Sequence, residues 1–158
     1  MTEHKSRELF GVWLGRVARL WRAGIDHRLA AFGLTESRWL TLIHLSRMQA
    51  PVTQRALAET AGVQEPTLVR TLDWLESQEL IERRPIAEDR RAKSVHLTDK
   101  ALPSLQHIQV VVESLRAEIL AGVSDADIDT CLRTFEYMAE KLGEPLILQP
   151  FHDNSKDK

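Results

Sequence analysis

The sequence has a single cysteine, Cys131, among its 158 residues. One thiol cannot form an intrachain disulfide, which excludes the small secreted folds that depend on several such bonds. No apolar run approaches the roughly 20 residues that a membrane span requires. The N-terminal MTEHKSRELF also lacks the apolar stretch of a signal peptide. We therefore expect a cytoplasmic protein that does not associate with membranes.

The sequence also lacks the signatures of common enzymes. Its six histidines and Cys131 do not follow the spacing of metal ligands. We find no G-x-S-x-G elbow, phosphate-binding loop or dinucleotide fingerprint. We expect no catalytic residues, no metal site and no cofactor. Catalysis by a site without a known motif stays open as the alternative.

The formal net charge is −2, which looks unfavourable for a protein that binds nucleic acid. The distribution of charge matters more than its sum, because a local basic patch attracts phosphate by itself. Residues 82–93 carry five basic side chains against three acidic ones, while other acidic residues gather at 125–129. We expect a positive lobe at the basic residues of this segment, Arg83, Arg84, Arg90, Arg91 and Lys93.

Composition and periodicity predict a single, mainly helical domain. A hydrophobic content of 43% with 28% charged residues is typical of a globular chain. Apolar residues recur every three or four positions in six segments, which predicts helices with one buried face. The expected order is a long first helix, a second from Thr35 to about Pro51, a third from Thr53, a fourth from about Gln64 to Glu79, strands Ile81–Ile86 and Ser94–Leu97, a fifth helix after Thr98 and a sixth from Ser124.

Residues that cap helices support several of these boundaries. Thr35 and Thr98 are expected to cap the second and fifth helices. Ser124 and Asp127 form a capping-box pattern at the start of the sixth helix. Pro103 lies close enough to the start of the fifth helix to delay or kink it.

Residues 53–98 carry the most informative pattern, a helix–turn–helix followed by a strand, a basic loop and a second strand. In the second helix of this unit, three leucines share one face, which we expect to pack on the preceding helix. Gly62 supplies the tight turn between the two helices. The face expected to point outward, toward the major groove of double-stranded DNA, consists of Thr67, Arg70, Thr71 and Trp74.

The side chains of that outward face suit base recognition. Arg70 can donate two hydrogen bonds to the O6 and N7 edge of guanine, and threonine can meet a thymine methyl group. Recognition helices usually approach bases with their N-terminal residues, and the first amides of the preceding helix can hold a phosphate. The predicted contacts of the two helices are Thr53, Gln54, Gln64, Pro66, Thr67, Arg70 and Thr71. An ordinary solvated helix face is the alternative.

The basic loop between the strands predicts a second DNA contact. Arg90 and Arg91 can enter a narrow minor groove, where the negative potential is strongest. Asp89 is expected to pair with Arg91 and so to hold the loop in shape, and Arg83 and Lys93 complete the predicted contacts. The alternatives are a solvated charge run, or a winged helix that binds protein and needs no pair of arginines.

These residues resemble the MarR family of winged-helix transcription regulators. The family signature D-x-R-x5-L-T occurs here as Asp89, Arg91, Leu97 and Thr98. The segments LWRAGIDHRL, LTESRW, EPTLVRTLDWLE and EDRRAKSVHLT are similar to the SlyA-like branch, and the resemblance covers about residues 9–142.

The resemblance implies a mainly α fold with a small β-wing, as one domain over residues 1–143. A winged helix-turn-helix would occupy about 35–98, and dimerisation helices would occupy about 6–32 and 99–142. The remaining tail, 144–158, has no match in the family, and its end is expected to be disordered. The family further implies a homodimer on a palindromic operator. Target genes, the operator sequence and the choice between repression and activation stay open.

Two apolar stripes support a homodimer independently of the resemblance. The stripes at Leu9–Val17 and Ile128–Leu142 are wider than one small domain needs. In the second stripe we expect buried side chains at Ile128, Leu132, Phe135, Met138 and Leu142. Burial of both stripes within one monomer is the alternative.

Members of the family often bind small phenolic or aromatic carboxylates, so the resemblance implies a possible ligand site. Arginine pairs well with carboxylate, and tryptophan offers a flat apolar wall. The candidate lining residues are Arg19, Arg22, His27, Trp39 and Arg70. The alternatives are core packing for the tryptophan and solvated or paired positions for the charged side chains. Redox sensing by Cys131 is less favoured than a buried, inert thiol.

Overall fold

The computed structural model describes residues 3–49, 51–86 and 89–143, with the side chains of 3–5 and 89–91 left out. Its elements confirm the expected fold class, mainly α with a small β-wing. In chain order they are α1 (Glu3–Leu29), a 3-10 turn (Ala30–Phe32), α2 (Glu36–Arg47), β1 (Val52–Thr53), α3 (Gln54–Ala61), α4 (Glu65–Ser77), β2 (Ile81–Ile86), β3 (Asp89–Leu97), α5 (Ala101–Leu120) and α6 (Asp125–Lys141).

The chain divides into two compact units, Met1–Arg116 and Ala117–Lys158. The first contains α1 to α4, the sheet and most of α5, and it carries the buried core. The second contains the end of α5 and α6 among its described residues. The predicted tail at 144–158 lies outside the described residues.

The helix–turn–helix forms where local signals place it. The hydroxyl of Thr53 accepts a hydrogen bond from the Ala56 amide at 3.1 Å, which caps α3. Gly62 ends α3 with a φ of 65°, a left-handed conformation that glycine adopts without a steric penalty. Pro66 lies in the first turn of α4, where its missing amide hydrogen sacrifices no intrahelical bond.

Leucines from α3 and α4 form the centre of the core. Leu57, Leu68, Leu72 and Leu75 are all buried, as the spacing in α4 predicts. Burial of such a side chain contributes roughly 1.5–3 kcal/mol. α2 also packs on α3 and α4. The leucine face of α4 is therefore covered by these helices, and the opposite face of α4 is directed to solvent.

The wing is a three-stranded antiparallel sheet in the order β1-β3-β2. Its central strand pairs Val95 with both Val52 and Arg83. β2 has the predicted bounds, but β3 begins at Asp89 rather than Ser94, and β1 was not predicted. Residues 89–93 lack the alternation of a strand, and their pairing with β2 shifts register between Lys93, opposite Pro85, and Asp89, opposite Ile86.

Three predictions about helix starts need correction or refinement. Thr35 stands at the N-cap of α2, but its hydroxyl makes no capping bond and lies 3.3 Å from that of Ser37. α5 begins at Ala101, so Thr98 lies before its N-cap position, and the Thr98 hydroxyl donates to the Glu79 carbonyl at 2.6 Å. Pro103 is the third residue of α5 and neither delays nor interrupts that helix. The capping box is confirmed, since the Asp127 amide donates to the Ser124 hydroxyl at 3.2 Å.

The terminal helices carry many exposed apolar side chains. The prediction that the α6 stripe is buried is wrong for a single chain, where Leu132 is exposed and Leu142 is 80% exposed. Cys131 is exposed as well, contrary to the expectation of a buried thiol. The exposed apolar side chains of α1 are Leu9, Phe10, Val12, Trp13, Leu14, Val17 and Leu20.

Within the described ranges, no helix combines the length and the apolar character that a membrane crossing demands.

Candidate nucleic-acid interface

One face of α4 is exposed along the length of the helix. The face is opposite the buried leucines and has the spacing of a helix that advances by about 100° per residue. Arg70 is exposed at its centre. The exposed side chains on this face are Pro66, Val69, Arg70 and Asp73, with Gln64 and Thr67 exposed at its N-terminal end.

This exposed face is rotated relative to the predicted one. Thr71 was expected to point outward, but it is 7% exposed and its hydroxyl donates to the Thr67 carbonyl at 3.3 Å. Trp74 is half-buried beneath the guanidinium of Arg38. The prediction of an outward Thr71 is therefore wrong, and its side chain is not available to a base.

Sequence reasoning also missed Val69, which is 36% exposed on this face. The signal was present, because Pro66, Val69 and Asp73 follow the helical spacing that complements the leucine stripe. The polar side chains alone indicate a different outward face, whereas the buried leucines determine which residues are exposed.

The C-terminal half of α4 is held by a cluster of Gly33, Arg38 and Trp74. The Arg38 guanidinium lies 3.7 Å from the centre of the Trp74 ring and donates to the Gly33 carbonyl at 2.7 Å. Gly33 has a φ of 69°, and a Cβ atom there would lie 3.5 Å from the indole. The contacts join α4 to the segment between α1 and α2.

The N-terminus of α3 is the second predicted contact of the helix–turn–helix. Thr53 is half-buried and uses its hydroxyl to cap the helix. The side-chain oxygen of Gln54 is buried and has no hydrogen-bond partner among the described residues. Neither side chain projects freely, so the first backbone amides of α3 are the groups best suited to a phosphate here.

Arg83 connects α4 to the wing. Its Nε donates to Glu76 Oε2 at 3.0 Å, its backbone amide donates to Glu76 Oε1 at 3.1 Å, and a terminal nitrogen reaches Asp73 Oδ1 at 2.7 Å. Only 15% of the Arg83 side chain is exposed. These bonds lower the pKa of Glu76 and raise the pKa of Arg83. Arg83 was predicted to contact DNA, and the structure instead commits its guanidinium to two carboxylates.

The rest of the basic segment is only partly described. Arg84 pairs with Glu82, and Lys93 is exposed and close enough to Glu76 to help lower the pKa of that carboxyl. β3 begins opposite Ile86, so its first residues belong to the far end of the hairpin. The predicted roles of Asp89, Arg90 and Arg91 concern side chains outside the described residues.

The candidate ligand residues lie on three helices, with Arg19, Arg22 and His27 on α1, Trp39 on α2 and Arg70 on α4. Arg22 Nε lies 2.8 Å from Glu36 Oε1, and Trp39 is 3% exposed with an unpartnered indole nitrogen. Arg19 and His27 are exposed on α1, whereas Arg70 belongs to the outward face of α4.

Comparisons with known proteins agree with the helix–turn–helix and wing described above. The profile of the MarR family matches residues 32–92, from the end of the 3-10 turn into the wing. The solved structure of transcriptional regulator PA3341 is 42% identical, with a TM-score of 0.77 over 85% of this chain and 98% of that one.

Two further solved structures are similar in fold. MepR from S. aureus, solved as a DNA complex, is 20% identical, with a TM-score of 0.74 over 84% of this chain and 97% of its own. CouR from Rhodococcus jostii RHA1, solved with p-coumaroyl-CoA, is 21% identical, with a TM-score of 0.71 over 89% and 95% of the two chains.

The bonds between Glu76 and Arg83 lead to a pH-dependent prediction. Because the folded state lowers the pKa of Glu76 below its ordinary value of 4.5, the pair stabilises the fold fully above that pH and progressively less as pH falls below it. Glu76→Gln should cost up to about 1 kcal/mol at pH 7, since the pair is partly exposed. Urea unfolding at fixed protein concentration, between about pH 3 and pH 7, measures this difference.

The matched control is Glu59→Gln, which alters the exposed pair with Arg55 on α3. We expect its stability to follow that of the wild type at every pH, because an ion pair so exposed to solvent contributes little. A stability gap between Glu76→Gln and wild type that stays constant down to pH 3 would contradict the role given to the carboxylate.

Proposed function

The chain belongs to the MarR family of transcription regulators, and on that premise we propose that it acts as a homodimer on an inverted-repeat operator in double-stranded DNA. The observation that carries the proposal is the outward face of α4, where Arg70 is exposed above a buried leucine stripe. The motifs shared with the SlyA-like branch support a place in that branch.

Base recognition in this proposal centres on the N-terminal half of α4. Arg70 donates two hydrogen bonds to a guanine edge, while Gln64 and Thr67 approach neighbouring bases or phosphates. Pro66 lies beside them in the first turn, and the amides after Thr53 hold a phosphate at the start of α3. Asp73 would repel the DNA backbone, but its bond to Arg83 offsets part of its charge.

The wing supplies contacts that do not depend on the half-site sequence. Arg90 and Arg91 enter the minor groove, and Lys93 contributes a phosphate contact. MepR, which has the same fold, was solved in complex with DNA, and this supports DNA as the partner. A winged helix that binds only protein would not require these basic groups.

Selection from random double-stranded DNA at about 0.15 M salt tests the proposal. The wild type should enrich an inverted repeat whose half-site centres lie about one helical turn apart. Arg70→Ala should lose about 1–3 kcal/mol of discrimination at one base pair in each half-site. Lys93→Ala should keep the wild-type motif and bind all sequences more weakly, with a salt slope smaller by about one.

The two variants are matched controls for each other, because each removes one exposed positive charge. Enrichment of no sequence by the wild type would overturn DNA-binding regulation in favour of a protein-interaction module. An unchanged motif with Arg70→Ala would remove Arg70 from base recognition and leave the dimeric regulator in place.

A second copy of the chain is the proposed partner of the apolar face of α1. That face exposes large side chains over about three turns, including Phe10, Trp13 and Val17. Exposed apolar surface of this extent is unusual unless another molecule covers it. Two copies present two α4 helices, which is what an inverted repeat requires.

Val17→Asp tests this interface, because Val17 is 51% exposed in one chain and a carboxylate there would be desolvated in the dimer. We expect the dissociation constant of the dimer to rise by about tenfold or more. Sedimentation equilibrium measures it. Val63→Asp introduces the same charge at the turn before α4 and should leave the constant unchanged; equal values for both variants and wild type would refute the proposed interface.

A small aromatic or phenolic carboxylate is the proposed regulatory ligand. CouR, which shares the fold, was solved with p-coumaroyl-CoA. Arg19 and Arg22 lie three residues apart on α1, and Trp39 is buried on α2 with an indole nitrogen that lacks a described partner. Arginine and tryptophan match the two halves of such a ligand, and His27 and Arg70 remain candidates for its outer contacts.

Equilibrium dialysis with salicylate tests this ligand class. We expect binding at or below about millimolar concentration, which corresponds to roughly 4 kcal/mol. Arg19→Gln should weaken binding because it removes a carboxylate partner, whereas Arg133→Gln on α6 should not. Absence of binding by the wild type up to millimolar salicylate would exclude the class, and equal binding by both variants would exclude Arg19.

A further inference from the structure

The outward face of α4 contains one aliphatic side chain among polar and charged neighbours. Val69 is 36% exposed and lies between Pro66, one turn earlier, and Asp73, one turn later. Arg70 is the next residue along the helix and is exposed on the same face. The proposed function therefore brings Val69 into the major groove together with Arg70.

A valine side chain in the major groove can distinguish bases only through apolar contact. Its side chain has no hydrogen-bond donor or acceptor, so it cannot recognise the polar edges of bases. The major groove presents a single apolar group, the C5-methyl of thymine. A cytosine in the same place would offer an amino group that valine leaves without a partner, at a cost in binding.

The geometry of valine also suits a fixed contact. A β-branched side chain in a helix is held almost entirely in one χ1 rotamer, so Val69 keeps its position relative to the α4 backbone. The leucines behind it are fully buried and hold that backbone in place. Little side-chain freedom is lost when such a group meets a methyl.

We propose that Val69 is a specificity-determining residue that contacts the C5-methyl of an operator thymine near the base pair recognised by Arg70. This inference rests on the proposed function and goes beyond it, because it assigns a preference at a base pair that no hydrogen bond of the protein recognises. Each half-site of the inverted repeat then contains one thymine whose methyl group contributes to affinity.

Replacement of thymine by deoxyuridine removes that methyl group and leaves every hydrogen-bonding group unchanged. We would replace the thymines of one half-site one at a time and measure affinity by fluorescence anisotropy. The wild type should lose about fourfold at one position, the ratio for roughly 0.8 kcal/mol per buried carbon group. Replacement in both half-sites should cost about sixteenfold, because the two contacts are equivalent and distant.

Because Val69→Ala removes the valine from both subunits, it should bind the thymine operator about as weakly as the wild type binds the operator with deoxyuridine in both half-sites, with no further loss from deoxyuridine at that position. Val63→Ala is the matched control, since Val63 is also 36% exposed but lies in the turn. It should retain the full methyl effect of the wild type.

The outcomes separate the inference from the function on which it rests. A specific operator with no methyl effect at any position, or with the same effect in Val69→Ala and wild type, overturns the role of Val69 alone. Failure of the wild type to select any operator overturns the proposed function and this inference together. A methyl effect that Val69→Ala abolishes and Val63→Ala preserves supports it.

Discussion

The buried leucine stripe of α4 is the constraint on which the rest of the site depends. Leu68, Leu72 and Leu75 are almost completely excluded from solvent, and their burial against α3 and α2 determines the rotation of the helix about its axis. A change of rotation would expose leucines, each at a cost of about 1.5–3 kcal/mol. The buried leucines thus determine which residues of α4 face solvent. The chemistry of the exposed side chains does not determine it.

Electrostatic contacts then set how α4 is placed relative to its neighbours. Arg83 holds two carboxylates of α4 against β2, and Arg38 joins the Trp74 ring to the Gly33 carbonyl. Arg83 is mostly buried and hydrogen-bonded through both its side chain and its backbone amide. Such multiple, charge-assisted contacts restrict geometry more than isolated surface pairs do.

Periodicity predicted the helices because each has one apolar face, which is buried within the chain in α4 and exposed in much of α1 and α6. It failed where burial does not follow polarity. Thr71 can be buried because its hydroxyl donates a hydrogen bond to the Thr67 carbonyl, which removes most of the free-energy cost of burying a polar group. The two residues of β1 are too few to show the alternation of a strand. Thr98 was expected to cap α5, but its hydroxyl donates to the Glu79 carbonyl and the helix begins at Ala101. The residues of the α6 stripe are apolar, as read from the sequence, but they are not buried within one chain. The sequence shows that a helix face is apolar without showing which surface covers it.

The net charge of −2 does not conflict with DNA binding once these contacts are considered. The field at an interface depends on nearby uncompensated charges, because mobile ions screen exposed charges beyond about 8–10 Å. On α4, Asp73 and Glu76 are both bound by Arg83, while Arg70 on α4 and Lys93 on β3 are exposed. The same arginine that orients the wing therefore also weakens the acidic charge that would oppose a phosphate. Loss of Arg83 would free the carboxylates of Asp73 and Glu76 beside the DNA groove, and it would also detach the wing from α4. The resulting loss of DNA affinity would therefore be larger than the loss of one positive charge explains.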